Sequence, residues 1–115
     1  MRRGEIWWAN FEPGLGAEAN RARPAVVVSR DAGNEAAAEL GVGVVTVVPL
    51  TSMVGRIYPF EVFCPATSSG LSRDSKAQVP QIRAVDVRRF SEMSGALDEA
   101  TMAAIDQAIR LHLAL

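Results

Sequence analysis

The sequence predicts a mainly β chain with α. Five to seven short strands form a small twisted barrel or half-barrel, a short helix lies between strands, and an amphipathic helix packs on the sheet at the C-terminus. Three observations predict it. Over the first two-thirds, short runs of Val, Ile, Trp and Phe alternate with turn clusters of Gly, Pro and Ser. One Ala-rich segment, Asp31–Leu40, interrupts them. From Leu97 onward the apolar spacing changes from two to three and four.

Taken in order, Glu5–Glu12 (EIWWANFE) reads as the first strand, stopped by Pro13-Gly14-Leu15-Gly16. Trp7 and Phe11 fall on one face and Ile6 and Trp8 on the other, so this strand is buried twice or forms an interface. Residues 14–22 read as a polar loop. Pro24–Ser29 is a continuous apolar run typical of a central strand, with Pro24 at its first residue, where a missing N–H is tolerated. Asp31–Leu40 opens on an Asp cap candidate and stops before Gly41, which predicts one short helix. Val42–Leu50 is a third strand, broken near its end by Pro49, and a loop with Gly55 leads to Pro59–Cys64, the fourth. After the turn signal Thr67-Ser68-Ser69-Gly70, two short strands, Ser75–Val79 and Gln81–Val87, flank Pro80. Asp98 is then a good N-cap, with Leu97 and Met102 placed for a hydrophobic staple. Met102, Ile105, Ile109 and Leu113 make one apolar stripe on a helix of about four turns.

Length and composition narrow the function. With 115 residues, and about 100–200 per domain, residues 1–115 are expected to form a single domain. One His and one Cys cannot build a Cys/His zinc site, an internal disulfide, or a two-histidine acid/base pair within one chain. The formal net charge of −1 lacks the basic footprint usual for nucleic-acid binders. Charge is unevenly placed, however: residues 1–30 hold five Arg against three Glu. Of the 12 basic residues only Lys76 is not Arg, the side chain whose planar fork grips phosphate or carboxylate bidentately. The N-terminus lacks an apolar signal region, and the longest apolar stretch, Val42–Leu50, falls far below the ~20 residues of a membrane span. A soluble, cytoplasmic protein without a membrane partner is expected.

Few residues offer chemistry. His112 lies in line with Ile105 and Ile109 and is read as a helix–sheet or subunit contact. Cys64, with no cationic neighbour in sequence, reads as a core or edge residue. No phosphate-binding glycine loop, nucleophile elbow or zinc-protease motif is present. What remains are two polar segments at strand ends: Gly16-Ala17-Glu18…Arg21-Ala22-Arg23-Pro24 and Pro49-Leu50-Thr51-Ser52. Arg23 precedes a proline, so its backbone is held extended. If the two strands pair antiparallel, Arg23 and Thr51 become neighbours. On spacing alone, a loop arginine beside an ordinary Thr turn fits as well.

The blocks Arg3-Gly4-Glu5-Ile6-Trp7-Trp8, Asn10-Phe11-Glu12-Pro13, Gly16, Glu18 and Arg23-Pro24-Ala25-Val26-Val27-Val28-Ser29 resemble, in order and spacing, the MazF/PemK family of toxin–antitoxin toxins. So do Pro49-Leu50-Thr51-Ser52, Gly70-Leu71…Asp74-Ser75…Ala77, Gln81-Ile82-Arg83-Ala84-Val85-Asp86 and Gly95-Ala96-Leu97. The resemblance implies a small SH3-like β-barrel (CcdB/PemK-like) with a C-terminal helix, acting as a homodimer. It implies an endoribonuclease that needs no metal or other cofactor and cuts single-stranded RNA at short motifs, leaving 2′,3′-cyclic phosphate and 5′-hydroxyl ends. It further implies neutralisation by a cognate MazE-like antitoxin, expected to be acidic and flexible. The family's catalytic Arg and Thr fall on Arg23 and Thr51. Glu18, Ser52, Gln81 and Arg83 match positions near the same groove. The Ser usual before that Glu is Ala17 here, and an Arg-x-Asp pattern of some PemK-like members falls near Gln78 and Pro80 without being matched.

Such chemistry needs the 2′-OH deprotonated, the extra charge on the phosphorane stabilised and the 5′-oxygen protonated. Arg23 suits the second task as a clamp on nonbridging oxygens, and Thr51 can orient the phosphate. Arg stays protonated in proteins, so Glu18 or a bound water is the candidate base. A net charge near zero is compatible with single-stranded RNA, whose bases are read on aromatic and Arg planes in a local groove. Trp8, Tyr58 and Phe60 read first as core or interface residues and second as stacking candidates, Tyr58 foremost among them because it lies in a loop. The alternatives are an inactive binding module and a non-enzymatic toxin of the same fold that poisons DNA gyrase, as CcdB does. CcdB ends in Trp-Gly-Ile, whereas this chain ends Leu113-Ala114-Leu115.

Overall fold

A computed structural model of the chain describes residues 1–11 and 22–115. The elements run β1 (Glu5–Asn10), β2 (Ala22–Val27), α1 (Asp31–Leu40), β3 (Val44–Thr51), β4 (Glu61–Cys64), α2 (Ala66–Ser69), β5 (Ser75–Gln78), β6 (Arg83–Asp86), β7 (Phe90–Ala96) and α3 (Glu99–Leu113). Short 3-10 turns at Val79–Gln81 and Val87–Arg89 flank β6. The strands are antiparallel, in the order β4-β5-β3-β2-β1-β7, with β6 also beside β3.

The eight-residue β3 organises this sheet. Its first half pairs with β6, from Val44 opposite Asp86 to Val47 opposite Arg83. Its last two residues pair with β5, Leu50 opposite Ala77 and Thr51 opposite Lys76. Along its other edge it pairs with β2. Because side chains alternate across a strand, β3 feeds two cores. Val48 and Leu50 pack with Ile6, Val26, Ala77 and Val79 under Ile105 and Ala108 of α3. Val45 and Val47 pack with Ala25, Val27 and Val85 under Ala37 of α1. β1 is accordingly apolar on both sides, Ile6 in the first core and Trp7 and Phe11 against the second.

The expected barrel is present in open form, since β4 and β7 end the strand order without pairing to each other. Their gap is narrowed by α2. The backbones of Ser69–Gly70 and Ser94–Gly95 pass so close that a Cβ on Gly70 would overlap the Ser94 carbonyl, and one on Gly95 the Ser69 carbonyl. Gly70 also sits at φ +76°, where other L residues are strained.

Several local expectations change. β2 begins at Ala22, because Pro24, Arg23 and Ala22 pair with Trp8, Ala9 and Asn10 of β1. Arg23 therefore stands within a strand. Asp31 is the first residue of α1 and not its cap; Arg30 holds the cap position, and the Asp31 carboxylate accepts from the Arg3 N–H and from Arg2 Nη2. Thr67–Gly70 forms the end of a helical turn. β7 (FSEMSGA) carries little strand signal of its own and forms because β1 offers an unpaired ladder. Asp98 caps α3 as expected, accepting from the Thr101 N–H at 2.7 Å. Residues 111–115 are all exposed, so α3 has run past the sheet by its last turn. His112 consequently makes no buried helix–sheet contact, and Leu113 leaves the stripe that Ile105 and Ala108 anchor.

Candidate active site

β2 and β3 pair with Ala25 opposite Pro49, Val26 opposite Val48 and Val27 opposite Val47. Continuing that register two residues sets Arg23 opposite Thr51, and residues opposite each other share a face of the sheet. Lys76 lies opposite Thr51 on the other flank. With a period of two along β5, Gln78 joins Lys76 on that face. Arg23, Thr51, Lys76 and Gln78 therefore meet on one face, at the end of β3 where its pairing has changed from β6 to β5.

Arg23 is half-buried and held through one nitrogen. Its Nη2 donates to the Leu50 carbonyl at 3.1 Å and to Gln78 Oε1 at 2.7 Å. Among the described residues nothing accepts from its Nε and Nη1, which are donors as well. Thr51 Oγ1 accepts from the Met53 N–H at 3.3 Å, a local turn that leaves its own O–H to donate.

Both side chains line an open cleft of about 500 Å³, together with Trp8, Ser52, Arg73 and Ser94. Thr51 also lines a second hollow of about 340 Å³, bounded by Met53, Gly55, Arg56, Lys76 and Gln78. Thr51 thus links the two cavities, and Arg23 lines the first. In the second one, Lys76 Nζ donates to the Arg56 carbonyl at 2.7 Å and to Glu61 Oε1 at 2.9 Å. Burial would raise the Glu61 pKa, but hydrogen bonds from the Tyr58 N–H and Lys76 outweigh it and hold the carboxyl below its usual range. Cys64 shows the opposite balance: burial pushes its thiol up to about 11.

The other expected residues are dispersed. Ser52 lines the main cleft and is exposed. Tyr58 stands outside it, stacked on Phe60 at 5.4 Å with the rings 3° from parallel. Gln81 is exposed on a 3-10 turn and lines neither cavity. Arg83 lies opposite Val47, four residues up β3 from Thr51 or about 13 Å along the strand, with its guanidinium 5.1 Å from the Phe11 ring. Gln81 and Arg83 are therefore separate from the Arg23–Thr51 pair. Ala17 and Glu18 lie outside the described residues.

Sequence reasoning missed Gln78, Arg73 and Lys76 as parts of these cavities. The alternation Lys76-x-Gln78 on β5 was the available signal, but it acquires meaning only once β5 is known to pair with the end of β3. Among the described residues no three His, Cys, Asp or Glu side chains come together as a metal site. None of the described helices is long and apolar enough to cross a membrane.

Residues 2–113 match the family described as PemK-like, MazF-like toxin of type II toxin–antitoxin system. The chain is 50% identical over 115 residues to the endoribonuclease MazF9 of Mycobacterium tuberculosis, covering 100% of this chain and 98% of that one. It is 30% identical over 116 residues to the endoribonuclease EndoA of Bacillus subtilis, covering 100% and 96%. Among solved structures, a crystal structure of MazE–MazF from Deinococcus radiodurans superposes with a TM-score of 0.76 at 27% identity, covering 100% of this chain and 97% of that one. With a family match over residues 2–113 and 50% identity to a relative across the whole chain, this chain belongs to the PemK-like, MazF-like toxins of type II toxin–antitoxin systems.

Proposed function

We propose that this toxin is an endoribonuclease that cuts single-stranded RNA at the Arg23–Thr51 pair. The observation that carries it is an arginine, with no acceptor for Nε and Nη1 among the described residues, lining one cleft with a threonine that also lines the adjoining cavity. A ribose-phosphate backbone laid across this junction puts one nucleotide on each side of the reacting phosphorus.

The 2′-oxygen attacks phosphorus, its proton passes to a base, the P–O5′ bond breaks and the 5′-oxygen gains a proton. The products are a 2′,3′-cyclic phosphate and a 5′-hydroxyl. Arg23 stabilises the charge that builds on the nonbridging oxygens and is a proton source for the leaving oxygen. Gln78, by binding Nη2, fixes the plane of the fork. Thr51 donates its O–H to the phosphate and sets its height above β3. Glu18 or a water is the base in this scheme, because Arg23 stays protonated. Ser52 and Arg73 accompany the substrate backbone along the main cleft. The reaction uses no metal.

The endoribonuclease relatives support the activity, and the MazE–MazF complex supports a cognate antitoxin as partner. The same kinship supports a homodimer acting in the cytoplasm. A CcdB-like gyrase poison finds no counterpart among those relatives. The test is incubation of wild type and Arg23→Ala with single-stranded RNA in EDTA, with mapping of the ends. Cyclic-phosphate ends from wild type alone are expected. No cutting by wild type, or equal cutting by both proteins, overturns the proposal.

A further inference from the structure

The chain's one lysine is buried. Lys76 is 8% exposed, and the side chains of Lys76 and Glu61 are 10% and 8% exposed. Burying two charges is costly unless geometry and hydrogen bonds compensate. Here the compensation reaches beyond the pair. Lys76 Nζ donates to the backbone carbonyl of Arg56, and Glu61 Oε1 accepts from the backbone N–H of Tyr58 at 3.0 Å. The Tyr58 ring lies 5.9 Å from the ammonium. All three contacts fall on the connection between β3 and β4, residues 52–60, which leaves Thr51 and returns at Glu61. The same connection lines the second cavity through Met53, Gly55 and Arg56, and Lys76 and Gln78 line it from β5.

We propose that Lys76, paired with Glu61, is a specificity-determining residue. It fixes the 52–60 connection so that the cavity beside Thr51 accepts a particular base of the nucleotide adjoining the cut phosphate. The inference rests on the endoribonuclease assignment and deepens it. A cavity of about 340 Å³ lies at the small end of ligand pockets, which span about 300–1,000 Å³, and it opens directly on the Thr51 side chain. Its lining includes Met53, an apolar side chain that is 78% exposed. It also includes Arg56, whose guanidinium lies 5.7 Å from the Tyr58 ring and donates to the Tyr58 hydroxyl at 3.3 Å. Apolar and guanidinium surfaces are those a splayed base uses. Neither would hold a defined position on a loop tethered only at its ends. The buried pair ties the backbone at two points in its middle, so the shape presented to a base is set from below. Lys76 acts through the loop and is a positioning residue.

The experiment compares wild type with Glu61→Gln/Lys76→Met, which removes both charges together and leaves neither buried alone. Each folded protein, verified by circular dichroism, is given an RNA library randomised around one cut site, and kcat and KM are measured on the preferred oligonucleotide. In the double variant, preference at one position next to the cut is expected to relax and KM to rise about tenfold, the scale of one or two lost charged contacts. The single-turnover rate on the preferred site should stay within about threefold, because Arg23 and Thr51 are untouched. Lys76→Arg, which keeps the charge and the donors, is expected to restore part of the preference. A wild type that cuts no RNA overturns both this inference and the assignment beneath it. A wild type that cuts, with a double variant of unchanged preference and KM, overturns this inference alone. So does a variant that loses rate without a change of preference.

Discussion

Arg23 and Gln78 lie 55 residues apart and meet through a 2.7 Å hydrogen bond from Nη2 to Oε1. That bond and the 3.1 Å contact to the Leu50 carbonyl use one nitrogen of the guanidinium. The fork is thus anchored at one corner, and among the described residues nothing accepts from Nε or Nη1. Holding a catalytic cation in one orientation toward the phosphate lowers the entropy lost on reaching the reactive geometry.

Gln78→Leu should therefore slow cleavage without weakening RNA binding much. The single-turnover rate is expected to fall about 10- to 100-fold, the cost of a catalytic group misplaced by about an ångström. KM should change less than about threefold. Rapid-quench assays on a single-site oligonucleotide check both. An unchanged rate would show that Arg23 needs no help from Gln78.

The seam between Gly70 and Gly95 makes a stability prediction. Gly95→Ala places a methyl group against the Ser69 carbonyl and the Gly70 nitrogen, both backbone and unable to move aside. Urea denaturation should show a loss of at least about 1–3 kcal/mol. Gly55→Ala, whose added Cβ meets nothing within 4 Å, should stay within about 0.5 kcal/mol of wild type.

Acid should unfold the protein partly through Glu61 and Asp98. Both carboxyls are held below their ordinary value, Asp98 chiefly by the Thr101 N–H and Glu61 by Tyr58 and Lys76 against the effect of burial. A carboxyl lowered in the folded state contributes stability that is complete above its unfolded pKa, about 4. That contribution is lost as pH falls through the lower folded value. The urea midpoint should accordingly drop between about pH 5 and 3. Glu61→Gln should be less stable than wild type at pH 7, because Lys76 loses its counter-charge, and should show a shallower drop. Parallel curves for the two proteins would exclude Glu61 from the linkage.

Cys64 should be inert in the folded protein. Buried in the first core, with a thiol pushed up to about 11, it is overwhelmingly protonated at pH 8. Native protein is expected to react with a thiol-specific chromogenic disulfide at the rate of global unfolding, and urea-unfolded protein at once. Rapid labelling of the native state would contradict the burial.

Much of the fold was legible because it depends on local signals. The two-faced apolar pattern of β1, the valine run of β2, the bounds of α1 and the Asp98 cap are written in neighbouring residues, and periodicity reports them directly. β7 was not legible. Phe90–Ala96 has a weak pattern of its own and becomes a strand because β1 presents an open edge. The helical turn at Ala66–Ser69 escaped for a similar reason, since it is held by the close passage of Ser94–Gly95.

For the site, the sequence by itself determined the candidate pair. It placed an extended arginine before Pro24 and a Thr-Ser step after Pro49-Leu50, and its order of blocks pointed to a toxin family. Whether Arg23 faces Thr51 was a question of register, because a slip of one residue would send the two side chains to opposite faces. Only the tertiary structure decided that, along with the anchoring by Gln78, the second cavity and the burial of Lys76. Each of these joins residues far apart in the chain through the sheet, and no local spacing carries such pairings.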